Sequence, residues 1–143
     1  MTDQHFQVAI IGAGPAGMAA ACTTTKAGLH TVVIDDQKDS GGQVYRNLRA
    51  NQLLSPTYLG DSYFAGTKLS DDFAACGANY WTDCTVWQIT KSHEIALVSG
   101  GKAELIIADY IIIATGAIER AMPVKGWTLP GVMSVGGAQT LLK

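Results

Sequence analysis

The stretch that most constrains the fold is an apolar run that breaks into a glycine-punctuated turn, Val8-Ala9-Ile10-Ile11-Gly12-Ala13-Gly14-Pro15-Ala16-Gly17. Residues 8–11 are continuously apolar and mostly β-branched, which is typical of a strand buried on both faces of a parallel sheet. The three glycines that follow predict a tight turn, a close backbone approach to a ligand, and close packing of a helix on the strand. The helix predicted over residues 15–27 directs unpaired N–H groups at this turn, so the sequence predicts an anion-binding site there.

The context of the turn strengthens this interpretation. Gly28 ends the predicted helix, and a second β-branched run over residues 31–34 ends in Asp35. An acid about 20 residues after the first glycine accepts hydrogen bonds from the ribose hydroxyls of an adenosine and disfavours a 2′-phosphate, hence NADP. The order strand, turn, helix, strand and acid predicts a dinucleotide site, and a βαβ unit without a nucleotide is the alternative.

Length and composition exclude several other classes. A chain of 143 residues favours one domain, and 48% hydrophobic with 15% charged residues is too apolar for disorder. The net charge of −2 and the scattered basic residues provide no basic face, so no nucleic-acid partner is expected. No apolar run is long enough to span a bilayer, and we expect no membrane partner and a cytoplasmic location.

Cysteine and histidine positions suggest no further chemistry. The three cysteines are odd in number and form no CxxC motif, so the sequence supports neither a disulfide framework nor a redox dithiol. The three histidines are isolated, with no metal-ligand spacing, and no metal site is predicted.

The rest of the chain predicts the remainder of an α/β domain. A polar loop containing Gly41-Gly42 leaves the carboxyl end of the second strand, where ligands bind. Residues 47–66 have no clear period and are expected to be irregular, and residues 67–76 have helical spacing that Gly77 would end.

Several predicted strands then follow. Residues 79–81 and 85–89 are strand-like, and residues 94–99 and 103–108 are joined by Gly100-Gly101, a strong hairpin signal. The last three of these strands form a predicted antiparallel meander in place of a helix. Residues 110–114 are apolar and suit a central parallel strand. The predicted fold class is α/β, a Rossmann-like parallel sheet with helices and an antiparallel three-stranded β-meander crossover.

These segments, together with Ile112-Ile113-Ala114-Thr115-Gly116-Ala117, resemble the first FAD-binding segment of the two-dinucleotide-domain flavoproteins, the pyridine nucleotide-disulfide oxidoreductase superfamily. The resemblance implies FAD as the cofactor. NAD is the less favoured occupant, since both share the adenosine diphosphate end. The resemblance also implies that residues 1–143 are the first segment of an incomplete FAD-binding domain, without the NAD(P)H-binding insert and the C-terminal segment.

A narrower likeness lies in four runs, Gly41-Gly42-Gln43-Val44-Tyr45-Arg46, Ala114-Thr115-Gly116-Ala117-Ile118-Glu119-Arg120, Gly126-Trp127-Thr128-Leu129-Pro130-Gly131-Val132 and Gly136-Gly137-Ala138-Gln139. They resemble the FAD-containing large subunits of opine oxidase, hydrogen cyanide synthase and proline or hydroxyproline dehydrogenases. The resemblance implies oxidation of the C–N bond of an amino acid or secondary amine, by hydride transfer to FAD, with other subunits of an amine-oxidising complex as partners.

The disulfide reductases carry a cysteine pair just after the glycine loop, and this chain has none there, so the catalytic thiol–disulfide chemistry of those enzymes is excluded for this segment. Two alternatives stay open. The first is the N-terminal piece of a thioredoxin-reductase-like NAD(P)H oxidoreductase. The second alternative is a truncated nucleotide-binding domain that catalyses nothing alone.

The resemblance implies specific cofactor contacts. Asp35 would bind the adenosine ribose, and Gly42 and Gln43 would lie along the ribityl chain and pyrophosphate. The pyrophosphate itself would lie on the glycine turn, at Gly12, Gly14, Pro15, Ala16 and Gly17.

Further contacts come from later segments. The backbone of Val86 would face the adenine edge, and Arg46 would either pair with a phosphate or remain a solvated loop charge. The strand-end residues Ala114, Thr115 and Gly116 would line the cofactor. No catalytic residue is predicted, because hydride chemistry belongs to the flavin, whose reactive face is built in relatives by segments that this chain lacks.

Overall fold

The computed structural model describes residues 4–51 and 59–143. Its helices and strands follow the order predicted for an α/β domain, with one sheet at the centre. In chain order they are β1 (Gln4–Ile11), α1 (Pro15–Lys26), β2 (Thr31–Ile34), α2 (Leu48–Asn51), α3 (Asp61–Phe64), α4 (Thr67–Ala75), β3 (Asn79–Trp81), β4 (Cys84–Ile89), β5 (Glu94–Ser99), β6 (Lys102–Ile113) and α5 (Val135–Leu142).

The six strands form a sheet of order β3-β2-β1-β6-β5-β4. β1 lies between β2 and β6 and is parallel to both, and β3 is parallel to β2. β1 is the strand predicted to be buried on both faces, and Ala9 and Ile10 are fully buried. Because parallel strands end at the same edge, the turn after β1 and the residues after β2 and β6 meet there.

Two apolar clusters cover the two faces of the parallel strands. On one face, α1 and α4 contribute Met18 and Phe73 to a cluster with Val8, Ile10 and Val33. On the other face, β5 contributes Ile95 and Leu97 to a cluster that includes residues of β1, β2 and β6. The antiparallel β4-β5-β6 meander therefore covers the face that a helix would cover in an ordinary doubly wound sheet, which confirms the predicted crossover.

The sheet curls so that its far strand returns to the end of β2. The amide of Cys84, at the start of β4, donates to the carbonyl of Asp35 at 2.9 Å, although three strands separate β4 from β2 in the sheet order. The amide of Asp35 donates in turn to the carbonyl of Trp81 at 3.0 Å. This curl brings β4 beside the strand ends.

The sequence prediction was wrong in separating residues 103–108 from 110–114. They form the single strand β6, whose first half pairs antiparallel with β5 and whose second half pairs parallel with β1. Asp109 does not interrupt the strand, because its side chain is exposed and hydrogen-bonded to His5 of β1 at 2.8 Å. Tyr110 and Ile113 are 70% and 68% exposed, so this part of β6 is not buried on both faces as a central strand is.

The prediction of an irregular segment over residues 47–66 was also wrong in part. The one-turn helices α2 and α3 lie there, while residues 52–58 lie outside the described residues. The side-chain amide of Asn51 donates to the hydroxyl of Tyr63 at 3.0 Å, and that hydroxyl donates to the carbonyl of Arg46. These contacts hold the two turns together, and helices this short show no periodicity in a sequence.

The predicted helix over residues 67–76 is confirmed as α4, with Cys76 at its C-terminal end and Gly77 in a positive-φ conformation after it. In the part of the chain that the structure describes, no helix is long and apolar enough to cross a membrane.

Candidate functional site

The turn after β1 is built from backbone contacts that leave no room for a side chain. Gly12 has φ +104°, and a Cβ there would collide with the carbonyl of Ala114 just after β6. A Cβ on Gly17 would collide with the carbonyl of Gly12. The amide of Ala114 donates to the carbonyl of Ile11 at 2.8 Å, which fixes the end of β6 against the turn. Gly12 and Gly17 are therefore required by the fold itself.

Gly14 is different, because, apart from Ala13 and Pro15 next to it in the chain, no described residue has a heavy atom within 4 Å of the position that its Cβ would take. Gly14 precedes the first residue of α1, Pro15, and has an ordinary φ of −70°. The first intrahelical hydrogen bond runs from the amide of Met18 to the carbonyl of Gly14 at 2.9 Å, so the amides of Ala16 and Gly17 have no acceptor within the helix. The first turn carries no acidic residue. This open, donor-rich space fits a phosphate.

The loop after β2 closes beside this space. Gly42, with φ +56°, lies so close that an added Cβ would be 3.0 Å from the Cα of Gly14. The amide of Gly41 donates to the carbonyl of Ala13 at 2.8 Å. The structure thus brings the two glycine-containing segments of the sequence together around one position.

Asp35 is 9% exposed and its carboxylate is tied to the turn. One carboxylate oxygen accepts the amide of Ala13 and the other accepts the amide of Gln37 at 2.8 Å. A carboxylate has about four lone-pair sites, so each oxygen keeps one for a further donor such as a ribose hydroxyl. The sequence indicated Asp35 as a ligand for a ribose, and the structure adds that this side chain also holds the glycine turn in place.

A cleft of about 190 Å³ lies between Asp35, the glycine turn and the start of β4. Four of the predicted cofactor contacts, each from a different segment, line it: Gly12, Asp35, Val86 and Thr115. Val86 reaches the cleft because β4 curls back to Asp35. The narrow shape and the acid at one wall fit the adenosine end of a dinucleotide.

The other predicted contacts lie outside this cleft. Ala16 is exposed on the first turn of α1, and Gly116 is exposed beyond β6 with φ +72°. Arg46 lines a separate depression of about 160 Å³ together with Gly42 and Lys38. No carboxylate among residues 4–51 and 59–143 forms a salt bridge with its guanidinium. Arg46 thus lies beside Gly42, in a depression separate from the adenosine cleft.

Gln43 faces α5, an arrangement that the sequence did not predict. The ammonium group of Lys143 donates to the carbonyls of Gln43 and Val44, at 3.0 Å each, and the Thr140 hydroxyl donates to the side-chain oxygen of Gln43 at 3.3 Å. Partial burial lowers the pKa of Lys143. Nearly 100 residues separate these partners, so no local sequence pattern could have indicated Thr140 or Lys143.

Glu119 is hydrogen-bonded to the N-terminal end of α5. Its carboxylate accepts the hydroxyl of Ser134 and the amides of Gly136 and Gly137, both at 3.1 Å. These donors, the Ser134 hydroxyl first and the Gly136 amide next, lower the pKa of Glu119. A groove of about 530 Å³ runs between α5, Gln43 and the segment that contains Glu119. Glu119 therefore fixes the helix that contacts the predicted cofactor loop.

A glycine turn, a buried acid and a strand-end motif around one cleft define a dinucleotide-binding α/β domain. The sequence pattern of one family, pyridine nucleotide-disulphide oxidoreductase, matches residues 6–140, and the chain belongs to that family. This is a family of flavin-dependent oxidoreductases, as the resemblance in the sequence predicted. Membership of the family supports FAD as the cofactor of this chain. Within the described ranges, no cluster of His, Cys, Asp and Glu side chains is placed to hold a metal ion.

Three similar proteins illustrate the relationship. The chain is 39% identical to one of the opine oxidase subunits of Agrobacterium tumefaciens, over 99% of this chain and 30% of that protein. It is 37% identical to hydrogen cyanide synthase subunit HcnB of Pseudomonas aeruginosa, over 97% of this chain and 30% of that protein. The structure resembles the HOCl-induced flavoprotein disulfide reductase RclA of Escherichia coli, with a TM-score of 0.67, 22% identity, and coverage of 95% of this chain and 34% of that one. The chain thus spans about 30% of the length of the curated relatives it matches.

Gly14 and Gly17 provide a matched pair of substitutions. We expect Gly14→Ala to leave the free energy of unfolding within about 1 kcal/mol of the original value and to weaken FAD binding by about tenfold or more, because the methyl group enters the open space on the turn. Gly17→Ala should instead lower the free energy of unfolding by several kcal/mol. Urea unfolding and FAD titration measure both effects. FAD affinity unchanged by Gly14→Ala would show that no phosphate lies there.

Glu119 predicts a pH dependence of α5. Because the folded pKa is lowered, the anchoring of α5 is fully present above the ordinary value of 4.5 and is lost as the pH falls through the folded pKa. Limited proteolysis within α5 should therefore accelerate only at acid pH in the original chain. Glu119→Gln should accelerate it at neutral pH, whereas Glu104→Gln, at an exposed acid on β6, should not. Equal cleavage of all three proteins at neutral pH would contradict the anchor.

Proposed function

We propose that this chain is the first FAD-binding segment of an oxidoreductase subunit that oxidises the C–N bond of an amino acid or secondary amine by hydride transfer to FAD. The observation that carries the proposal is the 39% identity to a subunit of opine oxidase over nearly the whole chain. The similarity to a hydrogen cyanide synthase subunit, with 37% identity, agrees with the same kind of substrate. Both relatives are named as subunits, which supports a multi-subunit complex.

Bound FAD would supply the hydride acceptor, and the residues of this chain would hold its nucleotide end. The amides at the start of α1 would bind the pyrophosphate, beside the space at Gly14. The carboxylate of Asp35 would accept the ribose hydroxyls, and Val86 and Thr115 would line the adenosine cleft. Arg46 would pair with a phosphate, since it lines the same depression as Gly42 and, among the described residues, forms no salt bridge with Asp39 or any other carboxylate. Lys143 would keep Gln43 in position through the loop carbonyls.

The sheet supports the view that residues 1–143 are one segment of a larger FAD-binding domain. Beyond residue 108, β6 pairs with β1 on one side only, and no described strand pairs with its other side. Tyr110 and Ile113 are largely exposed there, and no residue of α5 is buried. Further polypeptide of the same subunit would cover these surfaces and would form the NAD(P)H-binding and C-terminal segments. The substrate-facing side of the flavin would be built there, so no catalytic residue is assigned to this chain.

Asp35 tests the nucleotide part of the proposal. We expect Asp35→Ala to weaken FAD binding by roughly 1 to 3 kcal/mol, because ribose hydroxyls and the Ala13 amide lose their acceptor. Asp71→Ala, at an exposed acid of α4 outside the cleft, should leave the affinity unchanged. Isothermal titration with FAD and with adenosine diphosphate measures the effect on both ligands. Equal affinities for the two variants would remove Asp35 from the site.

The visible absorption spectrum tests the function. The chain is incubated with FAD, desalted, and then mixed without oxygen with a secondary amine of the opine type or with NADPH. We expect retained flavin bands that the amine bleaches, with the bands returning when an artificial electron acceptor is added. The subunit extended to the length of its relatives is measured in parallel.

The outcomes distinguish the alternatives. Bleaching of the extended subunit by NADPH and not by amines would overturn the proposal in favour of a thioredoxin-reductase-like enzyme. Flavin bands in the extended subunit but not in residues 1–143 would show that the cofactor site needs the further polypeptide. Absence of flavin from both would contradict the proposed cofactor.

A further inference from the structure

A groove of about 710 Å³ lies on the antiparallel meander, apart from the adenosine cleft. Its walls come from β4, β5 and β6 and from Gln4 at the start of β1, and none of its described residues lines the adenosine cleft or the groove beside α5. Part of its surface is apolar. Ala96 of β5 stands in register with Gln88 of β4 and with Leu105 of β6, so the short alanine side chain leaves a depression between two longer ones.

Trp87 reaches this groove at a β-bulge. The pairing of β4 with β5 shifts between Val86, which is opposite Leu97, and Gln88, which is opposite Ala96, so Trp87 has no partner on β5. A bulge of this kind redirects a side chain. The Trp87 side chain is 59% exposed, although tryptophan is on average highly buried in folded proteins. The groove therefore has an accessible indole ring.

The groove also carries negative charge. Glu94 and Glu104 line it, and its described residues include no lysine, arginine or histidine. The Glu94 carboxylate is held in place, because its Oε2 atom accepts the hydroxyls of Thr90 and Ser92 at 3.1 Å each. Among residues 4–51 and 59–143, neither glutamate forms a salt bridge. The groove thus combines an aromatic ring with two carboxylates that have no basic partner in the described part of the chain.

We propose that this groove binds a small organic ammonium ion. A cation at the face of an indole ring is attracted by the ring electrons, and a carboxylate nearby adds a direct charge–charge attraction. The apolar side chains of Ala96 and Leu105 contact the alkyl groups of such a ligand, which an inorganic cation lacks. The inference does not rest on the proposed function, because the groove and the adenosine cleft share no described residue.

The experiment uses choline as the probe. The neutral control is the dimethylbutanol in which a carbon atom replaces the charged nitrogen of choline. Heteronuclear NMR follows the indole N–H signals of the three tryptophans during each titration, with and without FAD, and Trp87→Leu identifies the Trp87 signal. We expect choline to shift the Trp87 signal to saturation, with or without FAD, and to leave those of Trp81 and Trp127 in place. The neutral alcohol should bind more weakly by about tenfold or more.

Two variants have matched controls, and calorimetry measures their affinity for choline. Trp87→Leu and Glu94→Gln should each weaken binding by about fivefold or more, because one removes the ring and the other the charge. Trp127→Leu and Asp71→Asn, which change an exposed tryptophan and an exposed acid outside the groove, should not. Circular dichroism checks that each variant is folded.

Four results would each overturn the proposal. They are a Trp87 signal that choline does not shift, equal affinity for choline and the neutral alcohol, and choline affinity unchanged by both Trp87→Leu and Glu94→Gln. The fourth is binding to residues 1–143 but not to the subunit extended to the length of its relatives, which would show that further polypeptide occupies the groove.

Discussion

The structure depends on backbone atoms meeting at the glycine turn without a side chain between them. Gly17 lies against the carbonyl of Gly12, and Gly12 lies against the carbonyl of Ala114, so α1 and the end of β6 pack at backbone distance from β1. A Cβ at either glycine would push one of these elements away from the sheet. The cleft beside Asp35 lies where these segments meet, and the amide of Ala13 donates directly to the Asp35 carboxylate at its wall.

This geometry also resolves an electrostatic conflict. A carboxylate beside a phosphate site is unfavourable unless its charge is compensated, and Asp35 has no basic partner among the described residues. Its two oxygens accept the amides of Ala13 and Gln37, while the free amides of Ala16 and Gly17 face the space at Gly14. The backbone thus divides its donors between the acid and the anion site. A nucleotide with a ribose next to a pyrophosphate satisfies both groups.

The sequence predicted what local patterns determine and missed what distant contacts determine. The βαβ unit, Asp35 and the Gly100-Gly101 hairpin each follow from one contiguous stretch of at most about 30 residues, and the structure has them. The sequence prediction ended one strand at residue 108 and began another at residue 110, but Asp109 continues β6 and pairs with His5, which needs β1 alongside. The contacts of Thr140 and Lys143 with the Gln43 loop join residues nearly 100 positions apart in the chain. No period or motif encodes such pairs, since they arise only when the elements pack.

The same distinction explains why this chain indicates its cofactor more clearly than its substrate. The nucleotide end of a dinucleotide is recognised by backbone amides, one carboxylate and small residues, all supplied by contiguous strand–turn–helix segments. The reacting end of FAD needs side chains that converge from elements far apart in sequence. Among the described residues, no strand pairs with β6 beyond Ala108 on the side opposite β1, and Tyr110 is exposed there. Under the proposed function, affinity for the nucleotide and choice of substrate would reside in different parts of the protein.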